Sequence, residues 1–152
     1  MSVSLQLLLL AWPQARQWAA PLRHAVFVRE QGVPEELEWD AQDADSLHAV
    51  ILNEGTCLGT ARLLPLEPGG QASIGRMAVS LEWRHQGLGS LLLRGLLEAA
   101  EWRNASQIVL HAQISAVDFY RRFGFIVIGP EFQEAGIPHL EMRLALDRML
   151  KT

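Results

Sequence analysis

Cysteine is almost missing: Cys57 is the only one in 152 residues. No internal disulfide is possible. No Cys/His set has zinc spacing either, so no metal is expected. Cys57 itself reads as a small buried hydrophobe. Positive charge is also short, with 13 Lys and Arg against 17 Asp and Glu and a net charge of -4. A nucleic-acid partner is therefore not expected. Lysine occurs once, at Lys151, and arginine supplies the other basic residues, which reads as compositional bias. Long apolar runs are missing too. The stretch Leu7–Trp12 stops at Pro13, far short of the roughly 20 residues that cross a bilayer. No basic residue precedes it, so it does not read as a signal peptide. The expectation is a cytoplasmic protein with no membrane partner.

What is present has a globular balance, 49% apolar and 20% charged. A chain of this length can bury roughly 70% of its unfolded surface. One domain over 1–152 is expected, with no repeat, low-complexity segment or linker. Acids crowd together at Glu30, Glu35, Glu36, Glu38, Asp40, Asp43 and Asp45. Two readings stand: a solvated acidic loop, or an acidic rim that attracts a cationic substrate.

Alternation predicts a strand over Val3–Leu9. Residues 14–29 read as a helix, kinked near Pro21 and ended by Gly32-Val33-Pro34. An acidic loop follows to Ser46. Leu47–Leu52 and Cys57–Leu66 read as a hairpin, and Ala72–Val79 as a third strand. Residues 87–103 carry a strong apolar helical stripe. Ile108–Ala112 reads as a buried strand, and 115–123 as a short helix closed by Gly124. Phe125–Ile128 is a strand, Gly129–Pro138 a loop and His139–Leu146 a last strand. The class is α/β, a mixed sheet of about six to seven strands with helices on both faces.

One stretch carries chemistry. Met77-Ala78-Val79 ends a strand, and Arg84-His85-Gln86-Gly87-Leu88-Gly89 opens the long helix. The first N–H groups of a helix lack internal partners, and its dipole adds positive charge there. Glycines let a ligand approach the backbone, so the pattern suits a pyrophosphate. Simple helix capping would use the same glycines. No Gly-Lys-Ser/Thr follows, so it is not a P-loop. Further on comes Tyr120-Arg121-Arg122-Phe123-Gly124-Phe125.

Together these stretches resemble the GNAT superfamily of acyl-CoA-dependent N-acyltransferases. The resemblance implies a sheet splayed between the strands ending near Val79 and starting near Ile108, with coenzyme A entering the splay. It implies that Arg84, His85, Gln86, Gly87, Leu88, Gly89 and Ser90 cradle the cofactor's pyrophosphate. Met77, Ala78 and Val79 would bond the pantetheine arm, and Tyr120 would protonate the leaving thiolate. Gln113, seven positions before Tyr120, stands where that family usually has an Asn that contacts the cofactor. Further pieces resemble the ElaA-type branch: Arg23, Val26, Phe27, Val28, Glu30, Gln31, Val33 and Pro34; Glu38, Asp40 and Asp43; Gly59–Leu64; and Phe132, Glu134, Gly136, Ile137, Pro138 and His139. The spacing of Arg23, Phe27, Asp40, Asp43 and Arg62 also resembles acyl-homoserine-lactone synthases.

The activity implied is transfer of an acetyl group from acetyl-CoA to an amine of a small molecule or peptide. Attack would be direct, in a ternary complex. A homodimer is plausible. An amine near pKa 10 is protonated at neutral pH and must lose a proton before it attacks. The base has four candidates, Glu30, Glu134, His139 and His111, the last more readily a core histidine. Glu134 and His139 are favoured because the resemblance includes both. Arg23, Phe27, Glu30 and Arg62 are expected on the substrate side, although Arg23, Asp40 and Asp43 would equally serve as ion pairs between helix and loop. Two alternatives remain: a non-catalytic acyl-CoA sensor, and a lactone-synthase-like enzyme that depends on S-adenosylmethionine.

Overall fold

The computed structural model describes residues 4–146. Val3 of the expected first strand lies outside the described residues; within them β1 covers Leu5–Ala11, running past the expected end at Leu9. Helix α1 covers Trp12–Arg23, with Pro13 in its first turn, where a missing N–H costs nothing. It is not broken at Pro21 but continues as a π-helical segment, His24–Glu30. That wider winding delivers Phe27 and Gln31 to the central cleft.

The acidic stretch is not a loop. It forms a short helix α2, Glu35–Glu38, and a 3-10 turn, Ala41–Asp45, capped by the Asp40 carboxylate on the Gln42 N–H. Strands β2 (Leu47–Asn53), β3 (Thr56–Leu63) and β4 (Gln71–Val79) form a meander, followed by α3 (Leu88–Trp102). β5 (Gln107–Gln113) leads through α4 (Val117–Arg121) to β6 (Ile126–Glu134) and β7 (Ile137–Ala145). The expected loop 129–138 is therefore mostly strand. Gly129 has φ +82° beside a bulge between Ile128 and Phe132, and Ala135 and Gly136 take φ +52° and +78° at the hairpin tip. Two positive-φ turn residues suit a tight hairpin.

The sheet order is β1-β2-β3-β4-β5-β7-β6. All neighbours are antiparallel except β4 and β5. The main core lies under α3, where Leu88, Leu92, Leu93, Leu96 and Ala100 pack on Ile51, Leu63, Ile74, Ile108 and Leu110. Each fully buried Leu or Ile contributes about 1.5–3 kcal/mol. On the opposite face Ala15 and Ala19 of α1 pack on Val50 and Leu52. α1 packs on the β1–β4 half of the sheet.

That asymmetry positions the cleft. β4 pairs with β5 only from Gln71–Ile74 to Gln107–Leu110. Beyond this point β4 follows β3 and β5 follows β7, and the sheet opens. A bulge drives the separation: Arg62 pairs with Gly75 and Thr60 with Ala78, so Ala61 faces both Arg76 and Met77. Arg76 has φ +51° there. Such a bulge bends its strand and increases the local twist.

Candidate active site

The splay leads into a cavity of about 650 Å³. The end beside the start of α3 is built from backbone. Ser80 N–H donates to the Leu58 carbonyl, so Ala78 also turns its backbone towards β3. Met77 and Val79 then turn theirs into the gap, since successive residues face opposite ways. The guanidinium Nε of Arg84 meets the Val79 carbonyl from that side at 3.0 Å. Gly87 is the N-cap of α3 with φ +87°, and a Cβ there would meet nothing within 4 Å. His85 also has positive φ, +64°. His85, Gln86 and Gly87 are exposed, whereas Leu88 is anchored in the core. Gly89 and Ser90 follow in the first turn, and a Cβ on Gly89 would stand 3.3 Å from Phe119. This open, glycine-lined helix start fits a pyrophosphate.

Arg84 does not lie free. It donates through both terminal nitrogens to the two Glu30 oxygens at 2.6 Å each. Those hydrogen bonds hold the Glu30 carboxyl below its ordinary 4.5. Glu30 thus stands beside the start of α3 and not among the cavity-lining residues, and a carboxylate stabilised in that way is a poor base. Beside it, Gln113 donates to Gln31 at 2.9 Å across the mouth of the splay.

Tyr120 lies deeper. It is 8% exposed, packs edge-on to Phe119 and Phe125, and directs its hydroxyl at the Met77 sulfur at 3.6 Å. Burial pushes its pKa up to about 12. It keeps its proton at any working pH, as an acid for a leaving thiolate must. Cys57 is pushed up to about 11, also by burial. That thiol is not an activated nucleophile.

One wall is an ion-pair network. Arg23, 1% exposed, donates to Glu38 at 2.5 Å and to both Asp43 oxygens at 2.8 and 3.1 Å. Arg62 bonds both Asp40 oxygens at 2.7 Å and Asp43 at 2.9 Å. Arg76 reaches the Glu38 carbonyl and Asp40. Three arginines therefore neutralise Glu38, Asp40 and Asp43. The acidic rim is corrected on this point, because Glu38 and Asp43 are buried, Asp40 is half-buried, and all three are paired with arginines. Arg23 is not among the cavity-lining residues, whereas Phe27, Arg62 and Arg76 are. No local pattern marks Arg76; Gly75 inside a strand is the one hint of its bulge.

The opposite wall joins three strands. His111 Nδ1 meets Glu134 Oε1 at 2.8 Å, and its Nε2 lies 3.4 Å from Glu141. His139 Nδ1 meets the Ile137 carbonyl at 2.7 Å, and its Nε2 lies 3.7 Å from Glu134 Oε2. Phe132 stacks on His139 and meets His111 edge-on. His111 is exposed to the cavity and is not a core histidine. Among the described residues no group of His, Cys, Asp and Glu is placed to hold a metal ion, and no helix is long and apolar enough to cross a membrane.

A splayed mixed sheet with a glycine-opened helix beside the gap is the architecture of an acyl-CoA transferase. The chain belongs to the acetyltransferase (GNAT) domain family, which it matches over residues 13–146. Within it the chain falls in the ElaA-type branch. It superposes on the crystal structure of Escherichia coli ElaA with TM-score 0.77 and 31% identity, covering 93% of this chain and 99% of that one. An acyl-CoA N-acyltransferase from Pseudomonas aeruginosa superposes with TM-score 0.82 and 33% identity over 95% and 100% of the two chains. The Bacillus subtilis protein named uncharacterized N-acetyltransferase YjcF is 37% identical over 122 residues, 80% of this chain and 86% of its own.

Proposed function

We propose that the chain transfers an acetyl group from acetyl-CoA to an amine of a small molecule or peptide, by direct attack in a ternary complex. The observation that carries this reading is the splay itself. Backbone groups of Met77 and Val79 face a gap that ends at the open start of α3. Arg84 to Ser90 would hold the pyrophosphate, and Gln113 and the strand end would hold the pantetheine arm. A backbone N–H in the gap would stabilise the oxyanion formed on attack. Tyr120, protonated and buried, would pass its proton to the thiolate. Glu134 and His139 would serve the amine side, where they line the cavity.

Thermal unfolding with acetyl-CoA, and with S-adenosylmethionine as comparator, tests this. At 100 times the dissociation constant a ligand adds about 2.7 kcal/mol. At roughly 2–4 °C per kcal/mol for a chain of this size, the melting temperature should rise by about 5–11 °C. Acetyl-CoA should stabilise and S-adenosylmethionine should not. A flat response to acetyl-CoA over a wide concentration range would sink the reading.

A further inference from the structure

We propose that the space between His139 Nε2 and Glu134 Oε2 is the ammonium site of the acceptor, and that His139 takes the proton the amine must lose. The proposal deepens the acyl-transfer reading and rests on it. A carbonyl oxygen only accepts, so the 2.7 Å contact with Ile137 places the proton of neutral His139 on Nδ1. Nε2 is left with a bare lone pair. Glu134 Oε1 already accepts from His111 Nδ1 at 2.8 Å, while Oε2 faces Nε2 at 3.7 Å, too far for a hydrogen bond. Two acceptor atoms thus face one another with no hydrogen between them. His139 is only 6% exposed, whereas the Glu134 side chain is 45% accessible, so the mismatch sits at the cavity wall with one acceptor buried and the other open to an entering ligand.

A group with several N–H bonds and a positive charge resolves it, and a primary ammonium is the smallest such group. One N–H would meet Nε2 and a second would meet Oε2. The surrounding residues hold the two acceptors in place. Phe132 stacks on His139 with ring centroids 5.9 Å apart and meets His111 at 5.0 Å. His111 is the positioning residue, since it anchors the other oxygen of Glu134. The floor is open as well. Gly75 lines the cavity, its backbone is not in the left-handed region, and a Cβ there would meet nothing within 4 Å. The strand register puts Gly75 on the same face as His111 and His139.

The step balances. The ammonium gives one proton to Nε2, and the freed lone pair forms the N–C bond to the thioester carbon. The C–S bond then breaks, and Tyr120 gives its proton to the departing sulfur. The second proton lost by the nitrogen replaces the one Tyr120 gave. One proton per turnover leaves from His139 to water.

The test uses the whole chain saturated with coenzyme A and two probes of equal charge. Propylammonium has N–H bonds, and propyltrimethylammonium has none. The side-chain ¹⁵N resonance of His139 Nε2 should move with the first and stay put with the second. His139→Gln and Glu134→Gln should keep the thermal shift with coenzyme A. His139→Gln should lower acetyl transfer to propylamine about 100-fold or more. Glu134→Gln should raise the amine KM about tenfold, with a smaller change in kcat. An Nε2 resonance indifferent to propylammonium, or a His139→Gln protein with near-normal turnover, would overturn the proposal. The titration is also readable without coenzyme A. If coenzyme A fails to bind but Nε2 answers propylammonium, the amine site stands and the acyl-transfer reading falls.

Discussion

At the scale of single residues, burial separates groups that hold protons from groups that move them. Tyr120→Phe removes one hydroxyl that, among the described residues, hydrogen-bonds the Met77 sulfur, while the ring keeps its packing on Phe119 and Phe125. Folding and coenzyme A affinity should be unchanged, and turnover should fall by about 100-fold or more, the usual worth of a positioned acid. Steady-state kinetics alongside calorimetric binding separate the two effects. A second prediction concerns acid. Burial lowers the His48 pKa below its ordinary 6.5, with its ring against Trp12 and its Nε2–H donating to the Asp43 carbonyl. The hydrogen bonds from Arg62 hold Asp40 below 3.8. Burial pushes Asp43 up, but Arg23 and Arg62 outweigh it and hold this carboxyl below 3.8 too. All three bind fewer protons folded than unfolded. Their stabilisation is complete above the unfolded values and is lost as pH falls through the folded ones. The melting temperature should be level between about pH 7 and pH 8, decline first below the ordinary His48 value of 6.5 and again below the ordinary Asp value of 3.8, and fall on the alkaline side once pH passes the ordinary Cys57 value of 9.0, since burial raises Cys57 and Tyr120 in the folded state. His48→Gln should remove the first decline in a calorimetric pH series and leave the second.

At the scale of elements, what was legible depended on where the partners lay in the chain. The stripe of Leu88, Leu92 and Leu96 repeats within one helix, so α3 and its glycine start could be read directly. The meander β2–β4 alternates locally and could be read to within a few residues. The acidic segment could not. Glu38 and Asp43 look like solvent-facing charges until Arg23 arrives from α1 and Arg62 from β3. The β6–β7 hairpin was hidden for a different reason. Gly129, Pro130, Gly136 and Pro138 all read as breakers, yet the glycines occupy a bulge and a turn within a continuous ladder. The buried network yields a prediction at this scale. Arg23→Met leaves Glu38 and Asp43 without their shared partner, and breaking a buried pair in this way costs about 3–5 kcal/mol. Chemical denaturation should show that loss, with α1 and α2 the first elements to lose amide protection. A cost under about 1 kcal/mol would mean the network behaves like a surface pair.

Across the whole molecule, the segment after α1 closes over the cleft as a strap. Glu30 grips Arg84 at the start of α3, and the next residue, Gln31, accepts from Gln113 at the end of β5. Both partners belong to the cofactor side of the proposed reaction, so the strap and a pyrophosphate compete for the same guanidinium. Arg84 was readable from the helix-opening motif. Its engagement by Glu30 was not, because 54 residues separate the two in sequence. In the proposed reaction coenzyme A would draw Arg84 off Glu30 or share it, and either way the ion pair would oppose binding. The pair is partly exposed, with side chains 28% and 36% accessible. Its worth is therefore at most about 1 kcal/mol. Glu30→Gln keeps the shape and removes the charge, so it should tighten coenzyme A binding by up to about fivefold, the equivalent of that energy. Titration calorimetry at low and high salt checks this. The gain should shrink as salt screens the wild-type pair, and Arg84→Met should abolish it. Weaker binding by Glu30→Gln would mean that the strap supports the cofactor site, with Glu30 holding Arg84 in the position the pyrophosphate needs.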